Sequence, residues 1–322
     1  MLVLDQETVA ELLDPVALID ALAAAMVDLS TGNVSLPPRI VARIEEHNGL
    51  LGAMPVYLPS MGLLVCKLVS VYPGNAAKGL HTHNASIQVF DDETGIPVAL
   101  MDGGTITAER TAAGSALATK LLAREDSSVL AMIGTGVQAE THIRLVKAVR
   151  DIRELRIYGR TYANAEKLTQ EFGGTVASSV EECVAGADIV CTVTHATQPV
   201  LDYEWLSPGT HVNSVGLNPA GRELAPALVV ESSVYVESRE SALGSSFAGT
   251  NDLLWPIRDG LMTADDIVGE IGEVIGGSTP ARRHDEEVTL YKSVGVGVQD
   301  AVAAGMVMEA ARSAGLGVEV SF

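Results

Sequence analysis

A chain of 322 residues is long enough for two cores, and with 47% apolar residues it has the material to fill both. Its formal charge of −20 is spread along the chain rather than gathered in a tail, and such a surface repels nucleic acid and anionic membranes, so neither is an expected partner. The longest apolar run falls far short of the roughly 18–20 residues that span a bilayer, and the opening MLVLDQETVAELLD carries acids where a signal peptide carries basic residues, so a cytoplasmic protein is expected.

In chain order, residues 5–30 carry apolar side chains at mixed spacings of three and four (Leu12, Leu13, Val16, Leu18, Ile19, Leu22, Met26), which predicts helix until Pro37-Pro38. Strand-like runs follow at 39–44, 50–58, 62–73 and 85–90. Asp91-Asp92-Glu93-Thr94-Gly95 is turn chemistry leading into IPVALMD, a hairpin. An alanine-rich helix from Thr105 to about Arg124 joins this region to a different texture. After Asp126, strands (VLAMI, ELRIYG, 174–177, DIVCTVT, 210–216, 233–238) alternate with helices (137–150, 162–172, 179–186), and a final helix at 297–314 is apolar on much of its surface. Alternation of this kind builds a parallel sheet with helices on both faces. The expected class is α/β: a Rossmann-type doubly wound parallel sheet at 121–299, plus an α+β substrate-binding and dimerisation domain at 1–120, completed by 300–322. The three cysteines, Cys66, Cys183 and Cys191, are odd in number and widely spaced, which argues against a disulfide framework or a metal cluster. Cys66 and Cys191 sit in apolar strands and read as buried thiols.

The strongest local motif is Gly134-Thr135-Gly136-Val137-Gln138-Ala139, which follows an apolar strand and opens a helix. Gly134 permits the tight turn, Gly136 lets backbone approach a pyrophosphate, and Ala139 allows close helix–strand packing; the free N–H groups of the helix start then face the phosphates. The next strand ends Tyr158-Gly159-Arg160-Thr161, with no acid to bond a ribose 2′-hydroxyl. Arg160 suits a 2′-phosphate and Thr161 offers it a hydroxyl, so NADP(H) is the expected cofactor, with NAD(H) possible. In the first domain, Arg39, Lys67 and Arg110 interrupt apolar or alanine-rich segments. Singly, each reads equally well as a snorkelling surface group. Together, they read as a carboxylate-binding cluster in which a desolvated lysine can exchange a proton.

These segments occur in order with Gly52-Ala53-Met54-Pro55, Cys66-Lys67-Leu68-Val69, Thr107-Ala108-Glu109-Arg110-Thr111, His211-Val212-Asn213-Ser214-Val215-Gly216, Arg222-Glu223-Leu224 and Tyr291-Lys292-Ser293-Val294-Gly295. In that combination the chain resembles the ornithine cyclodeaminase/μ-crystallin family over nearly its whole length. Gly159-Arg160-Thr161, the stretch Thr192–Thr197 and Lys292-Ser293 bring it closer to the μ-crystallin, or ketimine reductase, branch. The resemblance implies a homodimer, carboxylate binding by Arg39, Lys67 and Arg110, and proton transfer by Lys67. It further implies nucleotide contacts at Gly134, Thr135, Gly136, Val137, Gln138, Gly159, Arg160, Thr161, Thr111 and Thr194, with Ser293 and Gly295 near the nicotinamide or substrate. His83 matches a histidine of reductase members and reads either as a second proton donor or as a structural residue.

Two departures bear on the reaction. Ornithine cyclodeaminases carry a glutamate where this chain has Gly52, and an aspartate for the substrate's distal amine where it has Asn218. An amide neither bears that charge nor serves as that base, which also weakens an alanine dehydrogenase activity. The expectation is an NADPH-dependent reductase of small cyclic imino acids such as Δ1-pyrroline-2-carboxylate or Δ1-piperideine-2-carboxylate, with Asn218 and His83 beside the cationic trio and loops 217–223 and 242–256 shaping the pocket. The alternatives are an ammonia-releasing amino-acid cyclodeaminase with bound NAD, an alanine dehydrogenase-like enzyme, and a non-catalytic NADPH-gated ligand-binding protein.

Overall fold

The computed structural model describes residues 1–244 and 249–321, and its compact units are Met1–Arg110 with Val296–Phe322, and Thr111–Gly295. The division falls inside the helix Gly103–Leu122, which thus begins in the first unit and ends in the second; the sequence reading makes this helix the join between the two domains, with the boundary at 120. Among the described residues no helix is long and apolar enough to cross a membrane.

In the first unit, antiparallel pairing runs Ile40–Ile44, Gly49–Leu58, Leu63–Val71, His83–Phe90, Pro97–Asp102. Leu2–Leu4 adds to the last of these in parallel, and Val318–Glu319 closes that edge. The expected hairpin turn is present: Asp91 accepts from the Thr94 N–H at 2.8 Å, and Gly95 takes the left-handed φ of 72° that the reversal needs. The expected helix over 5–30 is two helices, Gln6–Leu12 and Pro15–Ser30. Asp14 caps the second by accepting from the Val16 and Ala17 N–H groups, each at 3.0 Å, and Pro15 supplies a first-turn φ without needing a donor. The apolar period runs through both helices and hides this break.

Pleating sends alternate residues of these strands to opposite faces. One transverse row reads Leu4, Met101, Ile87, Lys67, Met54 across five paired strands. All five are buried, and the helix Gly297–Ala314 packs on that side. Lys67 therefore occupies a position that its neighbours fill with hydrocarbon. The opposite face is open enough to leave Ile40, Leu51 and Leu68 exposed and Cys66 only half-buried, so Cys66 is less enclosed than its apolar flanks suggested.

The second unit carries a wholly parallel sheet in the order Ile267–Glu270, Ser233–Val236, Thr289–Lys292, His211–Ser214, Ile189–Thr192, Val129–Ile133, Glu154–Tyr158, Thr175–Val176. Helices cover both faces, so successive residues of one strand enter different cores: Leu130 and Met132 pack with Ala139, Ile143 and Val146, whereas Ala131 and Ile133 pack with Val190 and Val212. Burial on both sides is why these strands read as unbroken apolar runs. Strand order reverses between Val129–Ile133 and Ile189–Thr192, the switch point outside which ligands of such sheets bind. Thr289–Lys292 and Ile267–Glu270 were not expected as strands; the former enters the middle of the sheet through long-range pairing that its four residues do not announce. Cys183 and Cys191 lie in the cores, where burial pushes each thiol up to about 12 and keeps it inert.

Ile87 stands at the centre of the buried row and is fully enclosed. Ile87→Ala is expected to lower unfolding free energy by about 2–5 kcal/mol, whereas Ile96→Ser, on the exposed hairpin turn, changes it by less than about 0.5 kcal/mol; urea unfolding of the two variants measures both.

Candidate active site

Within the first unit the structure brings the three expected cations together around an acid that sequence reasoning missed. Lys67 Nζ donates to Asp300 Oδ1 at 3.0 Å, and Arg110 Nε donates to the same oxygen at 3.0 Å. Arg110 also donates from Nη1 to Gln299 Oε1 at 2.9 Å. Lys67, Arg110, Gln299 and Asp300 are all buried. Arg39 is half-buried and stands one residue ahead of the paired strand Ile40–Ile44, close enough for its charge to act on Lys67. Burial, reinforced by Arg110 and Arg39, lowers the Lys67 ammonium from its ordinary 10.5 to about 8, against the opposing pull of Asp300. Burial works to raise Asp300, but Arg110 and Lys67 outweigh it and hold the carboxyl below its ordinary value. The result is a lysine that can change protonation near physiological pH, flanked by guanidinium groups suited to a carboxylate. His83 shares the inner face of the sheet with Lys67 but lies at its exposed end, with Nδ1 3.1 Å from Thr82 Oγ1.

In the second unit the glycine turn has the expected form. Gly134 has φ 122°, and a Cβ there would lie 2.7 Å from Val193 Cγ2, so both backbone and space demand glycine. Gly136 is the N-cap of the helix Val137–Val149 with no side-chain capping bond, and a Cβ on it would meet nothing within 4 Å. Uncapped N–H groups beside an open cradle fit a pyrophosphate. In the same turn Gln138 Oε1 is buried, with no hydrogen-bond partner among the described residues. Val137 is exposed, and Gly159 makes room for Thr135, since a Cβ there would reach within 2.4 Å of Thr135 Cγ2. Arg160 and Thr161 are exposed at the end of Glu154–Tyr158, and Thr161 starts the helix Tyr162–Phe172 without a side-chain cap bond. Thr111 is buried on the helix Gly103–Leu122.

At the C-terminal ends of the central strands, buried carboxylates organise the loops. Glu223 accepts from the Thr192 hydroxyl at 2.7 Å, the Thr194 N–H and hydroxyl at 2.7 Å each, the Ser214 hydroxyl at 2.9 Å and the Gly216 N–H at 3.0 Å. Lys292, fully buried, pairs with Asp252 at 2.9 Å and donates to Ser214 Oγ and the Gly216 carbonyl. Glu237 accepts from the Ser293 hydroxyl at 2.6 Å and the Gly295 N–H at 3.1 Å. Thr194 and Ser293 thus spend their hydroxyls on protein carboxylates, which shape the loops that sequence reasoning had assigned to direct nucleotide contact. Of these carboxylates only Glu223 stood in a motif singled out from sequence, and its polar partners come from distant strands.

Asn218 joins its own loop to the one that follows Ile189–Thr192: Oδ1 accepts from the Ala220 N–H at 2.9 Å and Nδ2 donates to the His195 carbonyl at 3.2 Å. A carboxylate there would lose that donor and set oxygen against oxygen. Residues 245–248 of the expected loop 242–256 lie outside the described residues. At Gly52, a side chain would have to pass Val69 Cγ1, 3.3 Å from its Cβ position.

The Lys67 charge has a measurable cost. The folded chain releases that proton near pH 8, while the unfolded chain holds it to about 10.5, so the unfolded state binds more protons across this window and stability rises with pH through it. Below pH 8 the full penalty remains, about 3 kcal/mol. Lys67→Met leaves Arg110 and Asp300 paired, and is expected to raise the thermal midpoint at pH 7 and to flatten the rise between pH 8 and 10.5; calorimetry of both proteins across pH measures the difference.

The sequence model of the ornithine cyclodeaminase/mu-crystallin family matches residues 1–315. Mouse ketimine reductase mu-crystallin is 43% identical over 298 residues, covering 91% of each chain. A Δ1-pyrroline-2-carboxylate reductase of Bacillus cereus is 36% identical over 330 residues, covering both chains in full. The structure of Thermococcus litoralis Δ1-pyrroline-2-carboxylate reductase in complex with NADH and L-proline superimposes with a TM-score of 0.95 at 36% identity, covering 99% of this chain and 100% of that one. With a whole-chain match of this kind and the glycine turn and cationic trio in place, the protein belongs to the ornithine cyclodeaminase/mu-crystallin family.

Proposed function

We propose that the protein is an NADPH-dependent reductase of small cyclic imino acids, producing proline from Δ1-pyrroline-2-carboxylate or pipecolate from Δ1-piperideine-2-carboxylate. The observation that carries this reading is the buried Lys67, held by Asp300 beside Arg110, with its proton affinity lowered to about 8. The reductases among its relatives and the proline bound in the Thermococcus structure support the imino-acid reductase reading, and the NADH bound there supports a nicotinamide cofactor, whereas the choice of NADPH rests on Arg160 and Thr161 alone. Arg39 and Arg110 bind the substrate carboxylate, and Lys67 transfers a proton from Nζ to the imine nitrogen, breaking its own N–H bond and becoming neutral until solvent restores it. A protonated iminium accepts electrons far more readily than a neutral imine, and holding the carboxylate by two guanidiniums fixes the ring relative to Lys67. The reduced nicotinamide supplies, when bound, the hydride that saturates the imine carbon. Gly134, Gly136 and the first turn at Val137 and Gln138 hold its pyrophosphate, and Arg160 with Thr161 holds the 2′-phosphate, which is the basis for preferring NADPH to NADH.

The cyclodeaminase reading is disfavoured by Gly52, which offers no carboxylate, and by Asn218, whose amide is spent on Ala220 and His195. A homodimer accompanies the proposal: Ile40 and Leu68 flank Ala53 in one row of the outer sheet face, Leu51 lies beside them, and all three larger side chains are exposed.

Incubation with NADPH and each cyclic imine is expected to consume the reduced cofactor, followed by its absorbance. No consumption with any cyclic imine, or with a keto acid plus amine, overturns the assignment, and ammonia release from ornithine without added nucleotide replaces it with a lyase. Arg160→Ala is expected to raise KM for NADPH about tenfold or more, the loss of a charge-assisted bond, while leaving KM for NADH within about twofold; steady-state kinetics with both cofactors measures the contrast.

A further inference from the structure

Lys67 has to be charged to give a proton, yet its surroundings favour its losing one. It is buried, and two guanidiniums, Arg110 and Arg39, bear on it from the helix Gly103–Leu122 and from the segment ahead of Ile40–Ile44. An arginine does not release its proton in a protein, so of the three cations lysine is the one that yields. The anion facing this group is Asp300, in the first turn of the helix Gly297–Ala314, where the helix dipole also favours negative charge. Its Oδ1 accepts from both Lys67 Nζ and Arg110 Nε at 3.0 Å, and among the described residues its buried Oδ2 has no hydrogen-bond partner. The neighbouring Gln299 holds Arg110 from the same turn.

We propose that Asp300 is a positioning residue for the reduction: it fixes the Lys67 side chain beside Arg110 and keeps it charged, so that a proton is ready for the imine nitrogen. The proposal rests on the reading of Lys67 as the proton donor. Asp300 acts through Lys67, to which it is hydrogen-bonded directly.

Asp300→Asn keeps the size of the side chain and an oxygen able to accept both bonds, and removes only the charge. In the wild type, kcat/KM for the imine is expected to fall on the alkaline side near pH 8. In Asp300→Asn that limb moves down by about one unit or more, so activity drops about twofold at pH 7 and about tenfold at pH 9, and the difference disappears at lower pH. Asp300→Glu, which retains the charge, is expected to lose rate yet keep the limb within about 0.3 unit of the wild type. The same displacement is expected without turnover, as an earlier onset, with rising pH, of the gain in thermal midpoint in Asp300→Asn. An unmoved alkaline limb in Asp300→Asn, or a limb displaced equally in Asp300→Glu, overturns the proposal. Should the wild type reduce no imine, the functional reading fails by itself, and the thermal comparison still decides whether Asp300 holds the Lys67 proton.

Discussion

A cation placed in the apolar row of a sheet must be paired or give up its charge, and the first unit is organised around that constraint. Lys67 lies between Ile87 and Met54, where its strand neighbours are hydrocarbon. Leaving an ammonium there unpaired costs several kcal/mol, so the chain brings Asp300 against it from the opening turn of the helix Gly297–Ala314. That turn also captures Arg110 through Gln299. The C-terminal helix therefore does more than cover the sheet: it supplies the carboxylate without which three neighbouring cations would repel one another.

The second unit meets a similar problem with the signs exchanged. A doubly wound sheet ends its strands in loops that must hold shape while leaving backbone N–H groups open for a nucleotide. Here buried acids take up the loop donors: Glu223 gathers groups from the ends of two strands and from Gly216, Asp252 pairs with Lys292, and Glu237 holds Ser293 and Gly295. The start of the helix Val137–Val149, by contrast, has no side-chain cap. Satisfied donors in one place and uncapped donors in the other set fixed loops beside a helix start suited to an anion. In a chain with a net charge of −20, the few cations near such places have a disproportionate effect on what binds.

The two departures from the cyclodeaminase pattern follow the same physics. Asn218 is used as an amide, one end accepting from Ala220 and the other donating to His195, and an aspartate cannot do both. Gly52 leaves the inner face without a carboxylate next to the cationic cluster. Neither feature offers an acid for a distal amine, and Arg39, Lys67 and Arg110 remain in place, which suits the proposed substrate, whose only charged handles are a carboxylate and a ring nitrogen.

Much of this was legible in the sequence because it is local. The glycine turn, the parallel strands with both faces apolar, the hairpin at 91–95 and the three cations interrupting apolar runs are each set by residues near one another in the chain. The break at Asp14-Pro15 was also written locally, but the apolar period continuing through it concealed it. What the tertiary structure alone decided is which charges meet. Lys67 and Asp300 are separated by 233 positions, and neither segment carries a mark of the other. The strand Thr289–Lys292, which carries Lys292 into the middle of the parallel sheet, likewise exists only through its neighbours. Periodicity and turn chemistry act over a few residues, whereas the pairing of buried charges is set by desolvation, which is known only once the chain has closed around them.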